Sequence, residues 1–374
     1  MTMIFTKDDL RASVEAASGG QCTVLYTASG HPCYMNIIPK FNLQDIDPSL
    51  GNGTHPAFIV NNTEKPQIFI GTFIGTVKDG ELLSLPGVAP DGAGNFDQYL
   101  AWAAANGPGW HMMSAAEWSA IALWSWKNGT KPRGNNQYGR AYNCPWETGV
   151  RGDGLAVGEA SGFARTLTGS GPASWRHNGQ PNGIADLNGN VWEWNSGFRL
   201  QDGEIQVLPN NDAADNTKDQ GPNSALWKAI LAADGSLVTP GTAGTLKYDG
   251  TVALVGESSS LGAAILSDTI VNRSGAIGNN ENAGGTISNA FAATTVKNGL
   301  TVPALAKALL IYPITSDAGQ LGTDALWVRN HGERLPLAGA GYSTGGSAGV
   351  FARNLRSARS LVGGDISARP AFVL

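Results

Sequence analysis

GIADLNGNVWEWNSGFRL, residues 183–200, joins turn chemistry to strand chemistry without a break. Asp186-Leu187-Asn188-Gly189-Asn190 is rich in residues that tolerate left-handed backbone and bond their own main chain. Val191-Trp192-Glu193-Trp194 then sets a β-branched residue and two aromatics around a single acid. Two readings follow. Either the turn feeds a core strand whose Trp pair fills an interior, or Asp186, Glu193 and the turn carbonyls bind a hard cation such as Ca²⁺.

Upstream, GWHMMSAAEWSAIALWSWKNGT (109–130) predicts a helix. Ser114 and Glu117 make a capping box. Trp118, Ile121, Ala122 and Ser125 recur at helical spacing, and Asn128-Gly129 stops the run. NFDQYLAWAAAN (95–106) predicts a second helix, ended by Gly107-Pro108-Gly109. Thr6 to Ala17 predicts a third, with Thr6 as cap and Asp9 at N3. Its Leu10, Val14 and Ala17 share a face that either packs on its own domain or serves as a docking handle. From Cys22 the runs CTVLY, YMNIIPKF, AFIVNN and QIFIGTFIGTV read as strands. Residues 130–183 read as loop. Residues 201–325 are polar and rich in Gly, Ala and Thr, with strand-like EIQVLP, SLVTP and TVALVG and a helix over Val302 to Leu310. That composition suggests an insertion or a long decorated hairpin rather than a second core domain.

A chain of 374 residues holds one large domain or two. Only 15% of residues are charged and 50 are Gly, which favours short strands, turns and long loops over a helical bundle. The 11 Trp suit a loop-rich core or an interface. A net charge of −5 gives no reason to expect nucleic acid as partner. Cys22, Cys33 and Cys144 form neither a disulfide framework nor a zinc motif. His31, His55, His111, His177 and His331 fall at no metal-ligand spacing, so each reads as structural or surface. No Walker loop or complete GxGxxG fingerprint occurs, so neither motif marks an enzyme constellation. MTMIFTKDDLRASVEAA lacks the apolar run of a signal peptide. No later stretch approaches the ~20 apolar residues of a membrane helix. The expectation is a soluble protein without membrane insertion, cytoplasmic or assembled in a cytoplasm and released by other means, as in a virus particle.

GWHMMSAAEWSAIAL, then GIADLNGNVWEW, then a terminal segment with an Ile-x-x-Arg element together resemble the formylglycine-generating-enzyme type of C-type lectin fold. The resemblance covers roughly His31 to Ser196 and Arg334 to Phe372. It implies an α+β, C-type lectin fold over 31–374, with residues 1–30 as N-terminal helix and lead-in and 201–325 as a long insertion. It also implies a structural calcium held by Asp186, the carbonyls of Gly189 and Val191, and Glu193; no other cofactor is expected. The family's copper oxidases need a Cys pair in the terminal segment, because thiolates bind the metal. No Cys follows Cys144, so that activity is not expected. Gln180-Pro181-Asn182 with Trp194-Asn195 is also similar to the calcium-and-sugar tripeptides of animal C-type lectins, though the second motif lacks its Asp. A turn before a core strand explains the same residues.

Arg334 to Leu374 reads RLPLAGAGYSTGGSAGVFARNLRSARSLVGGDISARPAFVL. It contains no Lys, Glu, Gln, Met or Trp, whereas the preceding 333 residues contain 48. Those five are the residues that NNC codons cannot encode, and AAC codons randomised at both adenines become NNC. The segment, over about 338–372, resembles the variable region of diversity-generating retroelement proteins. These are lectin-fold ligand binders of phages and bacteria, rewritten by a reverse transcriptase that misreads template adenines. The resemblance implies receptor recognition, a protein or glycan ligand on a cell surface, and a place in a phage tail or at a bacterial cell; for a tail component it implies a homo-oligomer. A calcium-dependent carbohydrate-binding lectin is the alternative, and an oxidase a more distant one.

Strand alternation assigns roles within the segment. Phe351 and Leu355 point in; Ala352, Asn354 and Arg356 point out. Arg353 shares the inward parity, so either a bulge lies there or the position is itself variable. Tyr342, Ser343, Thr344 and Ser347 precede the strand. Ser357, Leu361, Val362, Gly363, Gly364 and Asp365 follow it. Tyr342, Arg353, Arg356 and Leu361 are bulky enough to anchor a ligand. Five Arg against one Asp give the segment a charge of +4 and favour an acidic target. Arg369 and Phe372 anchor the closing strand in the frame.

Overall fold

Helices form where the caps are written in the sequence. Ser114 Oγ accepts from the Glu117 N–H at 3.1 Å, and the Glu117 carboxylate accepts from the Ser114 N–H at 2.9 Å. This box opens the helix Ala115–Lys127. Asn95 and Gln98 open Phe96–Ala105 in the same way. The computed structural model describes residues 8–374. The expected cap Thr6 lies outside them, and the helix Asp9–Ser18 is capped by Asp8, whose carboxylate accepts from the Arg11 N–H. Leu10 and Ala17 on its expected packing face are exposed. The helix expected over Val302–Leu310 is confined to Ala304–Ala308, after Pro303. No described helix is long and apolar enough to cross a membrane.

The rest is sheet and loop, a mixed α/β architecture with large sheets and few helices. One sheet is antiparallel and orders Cys22–Tyr26, Pro32–Pro39, Gln67–Gly71, Pro370–Phe372 and Trp110–Met112. A strand near the end of the chain thus sits between early ones. The lead-in expected over 1–30 is part of this sheet, through Cys22–Tyr26. Among the described residues the second sheet has thirteen strands. Its centre runs Ala325–Val328, Gly349–Ser357, Glu333–Gly339, Phe198–Gln201, Glu204–Val207. The short strand Trp192–Trp194 bridges Glu333–Gly339 and Ile366–Ala368.

The region expected as an insertion is not set apart from this core. Seven of the thirteen strands fall between 202 and 324. Their Ile205, Tyr248, Leu266 and Ile287, with Phe291 just after the strand Ile287–Ala290, are buried in one cluster with Trp118, Ile121 and Phe351. Scattered apolar residues separated by Gly and Thr read as an insertion or a long decorated hairpin. Here they are short strands whose alternate residues reach the same interior.

Arg369 stands at the junction of the two sheets, between Ile366–Ala368 of one and Pro370–Phe372 of the other. Its side chain is fully buried. Nε and Nη2 grip the two oxygens of Glu193 at 2.9 and 2.7 Å. Nη1 donates to the Gly71 carbonyl at 2.8 Å and Nη2 also to Ala185 at 2.9 Å. One guanidinium therefore ties four segments together. Removing one partner of such a buried pair leaves an uncompensated charge, costing about 3–5 kcal/mol. Arg369→Leu and Glu193→Leu are each expected to lose stability on that scale in urea denaturation. A loss below about 1 kcal/mol for both would show that the junction is held by packing alone.

Candidate functional site

The turn at 186–190 is a fastening point. Asp186, Gly189 and Asn190 all have positive φ, at 61°, 77° and 64°. A Cβ at Gly189 would lie 2.1 Å from the Asn135 carbonyl oxygen, so this approach needs glycine. Around it runs a network of buried amides. Asn190 accepts from the Thr166 N–H and donates to the Thr166 carbonyl at 2.9 and 3.0 Å. Asn188 donates to Pro132 and accepts from Asn136. Asn135 donates to Ala164 and accepts from the Gly139 N–H. These bonds hold the loop 130–170 against the turn.

Two parts of the terminal segment meet the same fastening point. The Tyr342 N–H donates to the Asn190 carbonyl at 3.0 Å, and the Tyr342 carbonyl accepts from Tyr138 at 2.7 Å. The Trp192 N–H donates to the Asp365 carbonyl at 2.8 Å. Asp365 is also close enough to help raise the Tyr342 phenol, on which burial acts more strongly. Ser343 is exposed, and Tyr342, Thr344 and Ser347 are partly so. Val362 and Gly364 are exposed, and Leu361, Gly363 and Asp365 are partly so. Nine of the residues expected to vary thus lie at a surface, on two neighbouring loops.

The strand between those loops differs from expectation. The alternation holds: Phe351 stacks on Phe291, and the Arg353 guanidinium lies 5.5 Å from the Trp118 ring centre. However, the opposite face is covered as well. Ala352 is fully buried against Ala340, Ala348 and Trp192. Asn354 is buried opposite Trp327, which meets Trp192 edge-to-face. Ser357 is buried, and Arg356 is partly so, 5.8 Å from the Trp327 ring centre. Gly349–Ser357 is an interior strand, paired on one edge with Glu333–Gly339 and on the other with Ala325–Val328. Ala352, Asn354 and Ser357 therefore do not present side chains to a ligand. Arg353 is buried too, and its Nη1 and Nη2 have no hydrogen-bond partner among the described residues. Register irregularities lie on both sides of it, while Arg353 itself stays paired with Ala338.

The expected +4 is likewise spent inside. Arg359 pairs with Glu333 and Asp97, and Arg369 with Glu193. Arg334 is buried and donates to the carbonyls of His331, Glu281 and Asn279. Arg356 is the member of the set that reaches solvent without a carboxylate partner among the described residues. An acidic target is not favoured by this surface.

The two carboxylates named for calcium lie near each other, but they do not fit that ion here. Both oxygens of Glu193 are taken by Arg369. Asp186 is buried and accepts from the Gly169 N–H at 2.8 Å, with Arg176 and Arg369 as nearby positive charges. Two carboxylates already face two guanidiniums. Trp194 and Asn195 are fully buried, and Asn182 spends its amide on Ser18 and Gln21, so the lectin-like tripeptides form no common surface.

The sequence reading missed the surroundings of the two loops. Tyr142, Trp146 and Phe163 are 53, 78 and 58% exposed. A Cβ at Gly345 would lie 3.6 Å from the Tyr142 ring, and one at Gly364 2.9 Å from Phe163. Tyr142 therefore flanks the first loop and Phe163 the second. Three large rings in a polar, Gly-rich stretch without periodic apolar neighbours were the available signal. Beneath the first loop is a cavity of about 350 Å³, lined by Tyr142, Asn188, Asp324 and Gly346. Asp324 accepts from the Phe351 N–H at 2.9 Å, and burial pushes its carboxyl up to about 7. Comparison with family models finds no match, and comparison with curated proteins finds none.

Two outcomes follow from this geometry. Ala352→Tyr overpacks a closed site and should cost about 1–3 kcal/mol, whereas Ser343→Tyr should leave the unfolding midpoint unchanged. Equal midpoints for the two variants would return Ala352 to the surface. Asp324 is protonated more readily folded than unfolded. Its contribution is full below about pH 4, and is lost as pH rises through about 7. Asp324→Asn should therefore raise the melting temperature at pH 8 relative to the parent and leave it nearly unchanged at pH 4.

Proposed function

We propose that this protein is a ligand-binding, receptor-recognition protein of the diversity-generating retroelement kind, with a lectin-type frame. It displays variable side chains from two loops, not from the strand between them. The observation that carries this reading is a coincidence of two patterns. The segment that lacks every residue NNC codons cannot encode supplies both loops, Tyr342 to Ser347 and Leu361 to Asp365. Exposed Tyr142 and Phe163 border the same loops. Aromatic anchors beside small, exchangeable polar residues are a composition suited to binding many partners with one frame.

A frame of this kind needs loops whose substitution does not disturb the core. The two loops begin and end on main-chain bonds, through Tyr342 to Asn190 and Tyr138 and through Asp365 to Trp192. Side chains there can change without breaking those bonds. The preferred target is a neutral or weakly charged protein or glycan surface on a cell, since the exposed face is chiefly aromatic and polar. Display on a phage tail or a bacterial cell fits this role. Calcium-dependent sugar binding is the weaker alternative, because Arg369 occupies the carboxylate that calcium would use.

The test lies in the DNA beside the gene. Sequencing should find a near-copy of the 3′ coding end, a neighbouring reverse-transcriptase gene, and differences confined to template adenines. Differing codons should concentrate at 342–347 and 361–365. Absence of any such copy from the genome would remove the diversification reading. A copy differing mainly at codons 352–357 would move the binding face back to the strand.

A further inference from the structure

A large cavity is built from parts of the chain that precede residue 334. It measures about 600 Å³, within the range of roughly 300–1,000 Å³ typical of small-ligand sites. Gly20–Gln21, residues 36–41, the helix Ala115–Lys127 and the turn at 177–180 form its walls. No residue of 334–374 lines it. The principal side chains are Phe41, Trp124, His177, Asn178, Gln180 and Gln21.

Their chemistry narrows the ligand. Phe41 and Trp124 are half-buried, with the Phe41 ring wedged against Phe58 and Trp124 tilted against His177 at 5.4 Å. The rings are thus fixed rather than free to collapse into the cavity. Gln180 is exposed and Asn178 partly so, each offering amide donor and acceptor atoms. Asn178 Oδ1 holds the Gln180 N–H at 3.0 Å, which fixes the turn. His177 is buried and its ring pushed down to about 3, chiefly by burial, so it is neutral. Its Nδ1 accepts from the Ile184 N–H at 2.8 Å, which leaves the proton on Nε2 as a donor. Lys40 alone among the lining residues is charged, and Glu64 takes its ammonium at 2.6 Å.

A charged ligand would find no free counter-charge here. A purely apolar one would strand the amides and the imidazole N–H, at a cost for each unpaired group. A ring with an apolar face and a rim of hydroxyls satisfies both halves. We propose that this cavity binds a neutral saccharide of one or two pyranose rings without a metal ion. The polarised C–H face packs on Trp124, and the hydroxyls bond Asn178, Gln180 and His177 Nε2. The site is independent of the terminal loops and stands or falls without them. It would give every diversified version of the chain the same weak glycan contact.

Saturation-transfer NMR on the full chain tests this, using the methyl glycosides of glucose, galactose and mannose, and N-acetylglucosamine, all in EDTA. At least one probe should receive saturation at its ring protons with a dissociation constant in the range of about 1–10 mM. Trp124→Ala should abolish the transfer. Gln180→Ala should weaken binding several-fold, with an unchanged melting temperature. If Trp124→Ala does not fold, Gln180→Ala and Asn178→Ala carry the test. The proposal is overturned if no probe receives saturation, if the signal survives in folded Trp124→Ala, if neither amide variant weakens it, or if it appears only when calcium is restored.

Discussion

The bidentate bond between Arg369 and Glu193 is the constraint on which the structure turns. Each sheet alone leaves one edge or face in need of cover. The guanidinium joins the Trp strand, the closing strand, the Gly71 strand and the loop before Asp186 in one buried cluster. A charge in that position is tolerable because every N–H donor that reaches a neighbour finds an oxygen. Arg353 is the instructive contrast. It is equally buried, yet its terminal nitrogens face an indole ring and no acceptor. The first Arg specifies how the sheets meet. The second has a cation–π contact, and no hydrogen bond to its terminal nitrogens among the described residues, to offset its desolvation.

Much of the local structure was legible because its causes are local. The capping box at Ser114/Glu117 forms as read, since a cap depends on residues three apart, and the helix read from Asn95 proves to carry a second box with Gln98. The Asp186–Asn190 turn and the following strand were legible for the same reason. Alternation also sorted Phe351, Arg353 and Leu355 correctly onto one face. What alternation cannot report is whether the other face meets water. Ala352 and Asn354 are covered by Trp192 and Trp327, and Trp327 lies on a strand just beyond the stretch read as an insertion. Edge and interior strands have the same period of two; only the pairing partners distinguish them. Glu193 stayed between two readings for a related reason. A buried carboxylate requires a cation, and the sequence does not state whether calcium or a guanidinium 176 residues away supplies it.

The loop surface owes its rigidity to groups that carry no charge. Asn135, Asn136, Asn188 and Asn190 are buried and bond main-chain atoms of the long loop. An amide offers donors and an acceptor together, so it can fasten irregular backbone that no ladder pairs. This lets Tyr142 and Phe163 stand out from a Gly-rich segment and still hold position.

Chain order adds a consequence to the way the sheets close. Ile366–Ala368 and Pro370–Phe372 are made after both exposed loops, and each completes a different sheet. A message that shifts frame or stops within the loops yields a chain lacking Arg369 and both closing strands. Such a chain leaves Glu193 buried without a partner and two sheet edges open, a state recognised by proteases and chaperones. A chain truncated or shifted within these loops is thus removed by folding itself.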